Sequence, residues 1–156
     1  MLDGMSRLKD LTARCKELDM PGMAITDHGT MYADLQFDEI FRKEGLHPIL
    51  GCEVYVAPRS RFQKEKADKD YFHLVLLAKD VDGYRNLVKI VSKGCTEGFY
   101  YKPRVDKELL RMYHEGLVAT SACIAGEIAQ NVLLNREDNA EKVLLEYTDI
   151  FGKDDF

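Results

Sequence analysis

The chain has 156 residues, 46% of them hydrophobic and 31% charged, which is enough to bury the core of one compact domain. It contains no run of eighteen apolar residues, and its start, "MLDGMSRLKD", has no apolar h-region, so neither a transmembrane helix nor a signal peptide is expected, and a cytoplasmic address is. The net charge of −5 excludes a basic surface over the whole chain, although local contact with nucleic acid, or action on it, remains open.

In chain order, Leu8, Leu11, Cys15 and Leu18 recur at helical spacing and Pro21 closes the segment. Met23 to Thr26 reads as a buried strand that delivers Asp27, His28 and Gly29. A helix through Leu35, Ile40 and Phe41 stops at Gly45, and "HPILGCEVYVAP" is a second strand region. Arg59 to Asp70 is charged and aperiodic, an exposed, mobile loop. "YFHLVLLAKD" is a third strand, apolar enough to be covered on both faces. Tyr84, Leu87, Val88 and Val91 mark a helix ending at Gly94.

After "TEGFYYKPRVD" comes a short helix over Lys107–Tyr113, then the strand "GLVATSA" and a helix from Glu127 to Leu134. The final helix has Asp138 at its N-cap position with Glu141 three residues on, and buries Val143, Leu144 and Tyr147. This alternation predicts an α/β fold with a parallel sheet and outer helices, open or closed into a barrel. No repeat or low-complexity segment interrupts it. Cys15, Cys52, Cys95 and Cys123 are too dispersed for a zinc ribbon, and with no secretion signal disulfides are not expected. Cys15 and Cys95 read as small buried hydrophobes.

Polar groups collect where strands end in such folds. His28, Glu53, His73 and Cys123 all sit on strands or just after them, and Asp3 precedes the first helix. Each has an ordinary structural reading: a hydrogen-bonded histidine, a salt-bridged Glu53, Asp27 or Asp3 capping a turn. Yet an unpaired carboxylate among apolar strands costs several kcal/mol. A shared divalent cation would satisfy the whole set, and mixed N, O and S donors suit zinc, manganese or iron.

"AITDHG", "GCEVYVAP", "HLVLLAKD", "EGFYYKPRVD" and "SAC-AGEI" together resemble the PHP (polymerase and histidinol phosphatase) domain of bacterial replicative DNA polymerase III alpha subunits. The resemblance implies a distorted (β/α)7 barrel with up to three metal ions at its mouth. It carries the ligand roles onto Asp3, His28, Glu53, His73 and Cys123, and makes Asp27 a group that orients His28. In the family an H-x-H pair precedes the position of Leu2 and a D-x-H follows that of Phe156. The resemblance therefore implies a single partial PHP domain over 1–156, lacking its first strand and C-terminal part, with an open edge and fewer ions.

By the same resemblance the function is metal-dependent phosphoester hydrolysis, as a 3′–5′ exonuclease or phosphatase, with Lys102 and Arg104 as phosphate-binding residues. No catalytic residue beyond the metal ligands is assigned. Whether this stretch is itself an enzyme is left open, and DNA-directed polymerisation belongs to the parent subunit. The implied partners are the rest of that subunit, DNA through it, and the proofreading subunit. The alternatives are a non-catalytic docking module of the replicase and a small stand-alone α/β domain with one metal.

Overall fold

The apolar runs fold as strands and the segments with helical spacing as helices. The computed structural model describes residues 4 and 6–156. Among these residues the elements are α1 (Leu8–Glu17), β1 (Gly22–Ile25), α2 (Asp34–Lys43), β2 (His47–Val56), β3 (Phe72–Ala78), α3 (Val81–Thr96), β4 (Phe99–Tyr100), β5 (Lys102–Val105), α4 (Lys107–Tyr113), β6 (Leu117–Thr120), α5 (Glu127–Leu133) and α6 (Glu137–Phe151). Asp3 lies outside the described residues. None of the described helices is long and apolar enough to cross a membrane.

Five strands lie in the order β4-β5-β2-β3-β6, and β1 pairs with β2 off this path. The sheet is mixed, which corrects the expected parallel arrangement. β2 runs parallel to β1 and β5, but β3 runs antiparallel to both β2 and β6. The reason is the connection after β2. Residues 57–71 return the chain alongside β2 with only a 3₁₀ turn at Lys66–Asp68, and no crossover helix restores the direction.

β2 changes partners along its length. Residues 47–50 pair with β1 and residues 51–56 with β3. Cys52, Val54 and Val56 alternate onto one face, where they join Leu74, Leu76, Leu87, Ile90, Leu109, Leu110, Leu117 and Tyr147 in the main core under α3, α4 and α6. Cys15, Ile25, Phe37, Phe41 and Leu46 make a second cluster between α1, α2 and β1.

Several local expectations change. The tight β4–β5 hairpin was not expected from sequence. α3 runs through Gly94 to Thr96, and Cys95 is exposed rather than buried. α6 begins three residues before Ala140, so Asp138 lies in its first turn and is not its cap, and Leu144 faces solvent. By contrast Asp80 and Asp106 do cap α3 and α4, accepting from the backbone N–H of Gly83 (2.7 Å) and Leu109 (3.0 Å).

The charged segment 59–70 is anchored at both ends of its arc. Arg59 makes a two-pronged pair with the buried carboxylate of Asp68, both contacts at 2.8 Å. Arg61, also buried, donates to Asp106 (2.8 Å) and Glu97 (2.7 Å). Arg104 is fully buried and donates to the carbonyls of Asp68 (2.5 Å), Gln63 (2.8 Å) and Gly98 (3.2 Å). Its guanidinium is thus committed to backbone acceptors, which corrects its reading as a phosphate-binding group. Arg104→Ala strands those carbonyls, at roughly 1–3 kcal/mol for a buried group left unpaired. Urea unfolding is expected at lower midpoint, and limited proteolysis is expected to cut first within 59–70.

Candidate metal centre

The site is built on the face of β2 opposite the main core. Glu53 and Tyr55 share that face, and the antiparallel register sets Tyr55 opposite His73 and Glu53 opposite Val75. His73 therefore lies diagonally across from Glu53 on one face, within reach of a side chain. β1 ends at Ile25, but the chain stays beside β2. The Asp27 carbonyl accepts from the Glu53 N–H (3.0 Å), and the Gly29 N–H donates to the Glu53 carbonyl (2.8 Å). This lays His28 against Glu53. Gly29 has φ 68°, and a Cβ there would stand 2.7 Å from the Tyr55 ring, so the turn requires glycine.

Cys123 comes from the segment after β6. Ala122 sits at φ 58°, and the Gly126 N–H closes a turn onto the Cys123 carbonyl (2.9 Å). The His73 N–H donates to the Ala125 carbonyl (3.1 Å), tying this turn to β3. A Cβ at Gly126 would fall 2.1 Å from the Ser121 carbonyl, so no larger residue fits the turn.

The donor atoms converge. One ligand atom each from Glu53, His73 and Cys123 lie within 4.8 Å of one another. With Nδ1 protonated, His73 donates to one carboxylate oxygen of Glu53 (2.9 Å), and His28 Nδ1 meets the other. Cys123 Sγ is 3.5 Å from His73 Nδ1. Burial follows a gradient: the Glu53 side chain is 10% exposed, His73 21% and His28 49%. The carboxylate is the floor and the imidazoles are the walls.

Aromatic rings hold His73 in place. Tyr71 lies parallel to its ring at 5.9 Å, and Tyr55 stands edge-on at 5.5 Å. Lys102 Nζ is 5.3 Å from the centroid of Tyr55. The structure thus brings together His28, Glu53, His73 and Cys123, with Lys102 one ring away. Asp27 reaches this group through its backbone carbonyl.

The sequence reading missed Asp34. It is fully buried in the first turn of α2, and its carboxyl oxygens have no hydrogen-bond partner among the described residues. Burial, and then the charge of Asp27, push its pKa up to about 7. A first-turn aspartate ordinarily favours the helix N-terminus at the surface, so its sequence position disguises it. Below it the buried Cys52 thiol is pushed up to about 12, chiefly by burial and then by Asp34, and stays protonated.

The Asp34 carboxyl ionises near 3.8 in the unfolded chain and near 7 in the fold. Between these values the folded state holds the extra proton, so its stabilising share is full below about pH 4 and is lost as pH rises towards 7. Urea midpoints measured from pH 5 to 8 are expected to fall with rising pH. Asp34→Asn is expected to flatten that slope.

The PHP domain family matches residues 1–156. DNA polymerase III alpha subunits are similar over the whole chain or nearly so: 44% identical in Treponema pallidum (100% of this chain), 45% in Thermus aquaticus (97%) and 40% in Helicobacter pylori (100%). The chain spans only 13–14% of the length of these relatives. A crystal structure described as that of a metal-dependent phosphoesterase from Bifidobacterium adolescentis aligns over 59% of this chain and 29% of that one, with a TM-score of 0.41 and 21% identity. On the full-length family match and these identities, the chain belongs to the PHP domain family, in the branch found in DNA polymerase III alpha subunits.

Proposed function

We propose that Glu53, His73 and Cys123, together with His28, hold a divalent metal ion, and that the domain is a metal-dependent phosphoesterase of the 3′–5′ exonuclease or phosphatase type within a bacterial replicative polymerase. The observation that carries this reading is the convergence of three donor types within 4.8 Å around a carboxylate on the sheet face away from the core. Asp3 joins the set by the family pattern. Carboxylate, imidazole and thiolate together suit zinc, manganese or iron better than calcium or magnesium. The sheet is read as part of a distorted (β/α)7 barrel, and the family's full complement is up to three ions.

A metal held there would supply a hydroxide from bound water near neutral pH and would polarise a phosphoryl oxygen. The chain's own residues do the rest. Glu53 and Cys123 offset the cation's charge. Tyr71 and Tyr55 fix the His73 ring so that Nδ1 faces the donor group. Asp27 orients His28 by tying its strand extension to Glu53 through the backbone. Lys102 supplies a mobile positive charge for a phosphate beside Tyr55. The partners in this reading are the rest of the alpha subunit, the proofreading subunit, and DNA through the parent protein, all in the cytoplasm.

One observation favours a docking role alongside. α5 buries none of its residues, and Val132 and Leu133 on it and Leu145 on α6 are each more than half exposed. An apolar surface of this kind suits contact with the rest of a larger subunit.

Metal analysis by mass spectrometry tests the main reading. The protein equilibrated with zinc, manganese or iron and then desalted is expected to retain about one ion or more per chain. His73→Ala and Glu53→Gln are expected to lose it while keeping the far-ultraviolet circular dichroism spectrum. Retention of no ion by the folded wild-type protein would refute the proposal.

A further inference from the structure

Asp34 is a buried acid that the metal chemistry leaves unused. Among the described residues, its two carboxyl oxygens are the only buried side-chain polar atoms without a hydrogen-bond partner. The titratable groups that face it are Asp27 on the extension of β1, the Cys52 thiol on β2 and Tyr84 on α3, and none of them is cationic. Asp38, one turn along α2, also faces Tyr84 and is paired with Arg42 (2.8 Å), so that cation is already committed. A neutral carboxyl tolerates such a place far better than a carboxylate, which finds neither water nor a counter-charge there.

The helix that carries Asp34 is fixed at one end only. Phe37 and Phe41, buried and stacked at 4.0 Å, anchor the body of α2 in the second core cluster. Its first turn has no such anchor towards α3. A cavity of about 440 Å³, lined by Met31, Tyr32, Leu35, Tyr84 and Val88, opens between them, and Tyr32 and Leu35 are 90% and 74% exposed. The chain leading into this turn is the one that carries His28. It is seated on β2 by the Gly29 N–H, which donates to the Glu53 carbonyl (2.8 Å), and by the Cys52 thiol, which donates to the Asp27 carbonyl (3.4 Å). His28 and Asp34 are thus the two ends of one short segment that leaves β2 and re-enters the core.

We propose that Asp34 is a proton-operated latch: neutral, it closes residues 28–34 onto β2; ionised, it carries the first turn of α2 out towards the cleft and loosens His28 from Glu53. The latch itself does not rest on the metal reading above. Only its consequence for an ion does, since a metal bound through His28 would hold the segment closed.

The pH window follows from the sign of the shift. The carboxyl ionises near 3.8 in water and near 7 in the closed segment, so closure is fully favoured below about pH 4. That advantage is lost as pH rises to about 7, and the loss levels off above it.

Hydrogen exchange of the metal-free protein in chelator, from pH 5 to 8, tests the latch. After correction for intrinsic exchange rates, protection of the amides of residues 29–37 is expected to fall by up to about tenfold per pH unit and to level off above pH 7. These amides are expected to be less protected than those of β3 and insensitive to low urea, as local opening requires. Asp34→Asn, and Asp34→Ala, which takes no polar group into the core, are each expected to abolish the slope. His28→Ala is expected to lower protection of the segment at every pH and keep the slope, because it removes the hold at the other end. A slope that persists in Asp34→Ala overturns the proposal. So does protection of 29–37 that equals that of β3 and falls with it in urea, which would mean that Asp34 meets water only on global unfolding. Unchanged protection in His28→Ala would overturn the link to His28. A pH-dependent latch in a protein that retains no metal would instead defeat the metal reading alone.

Discussion

A carboxylate in the middle of a covered strand is the constraint on which this site depends. Glu53 is flanked by Cys52, Val54, Tyr55 and Val56, all buried. Ionised and unpaired, such a group would cost several kcal/mol. Its two oxygens are met from two directions, by His28 from the extension of β1 and by His73 from β3. Both partners are in reach because Glu53 has a neighbour on each edge of β2, the extension of β1 on one side and β3 on the other. One central strand therefore creates the need for partners and brings them into reach.

The polar residues that gather at the site stood out in the sequence, and their arrangement did not. His28, Glu53, His73 and Cys123 stand out because imidazole, carboxylate and thiol at the ends of apolar runs have few inexpensive explanations. The direction of β3 did not, because strand periodicity is the same in either direction. The long charged connection before it could equally have been an excursion from a crossover. Arg61, Asp68 and Arg104 read as surface charge for a similar reason. Composition cannot distinguish a solvated guanidinium from one recruited to satisfy carbonyls in a folded-back loop. Asp34 was hidden by being an ordinary residue at a helix start, where only tertiary packing removes it from water.

Those buried arginines bear on the chemistry as well as on stability. Arg104 lies opposite Tyr55 in the β2–β5 register, and its donors draw 63–68 down over β5. β5 in turn carries Lys102 and Pro103, which touch Tyr55 and Gly29. The segment that looked most disposable in the sequence thus clamps the strand that supports one wall of the site. The other wall, Cys123, depends on a turn with no room for a side chain at Gly126.

The charge balance of the molecule has the same logic. A chain of net −5 does not gather polyanions by its overall field. Any phosphate must be attracted locally, and the cations available differ sharply in freedom. Arg59, Arg61 and Arg104 are already matched by carboxylates or carbonyls, whereas Lys102 lies over an aromatic ring. A cation held by a ring's quadrupole is easily lent to a phosphate, because the contact it gives up is worth about 0.5–1 kcal/mol at an exposed site. A buried arginine giving up its carbonyls would lose more than the phosphate returns. Were a phosphate to bind at this site, Lys102 rather than the buried arginines would be the cation to meet it, while Arg104 holds the segment packed over the strand that carries Lys102.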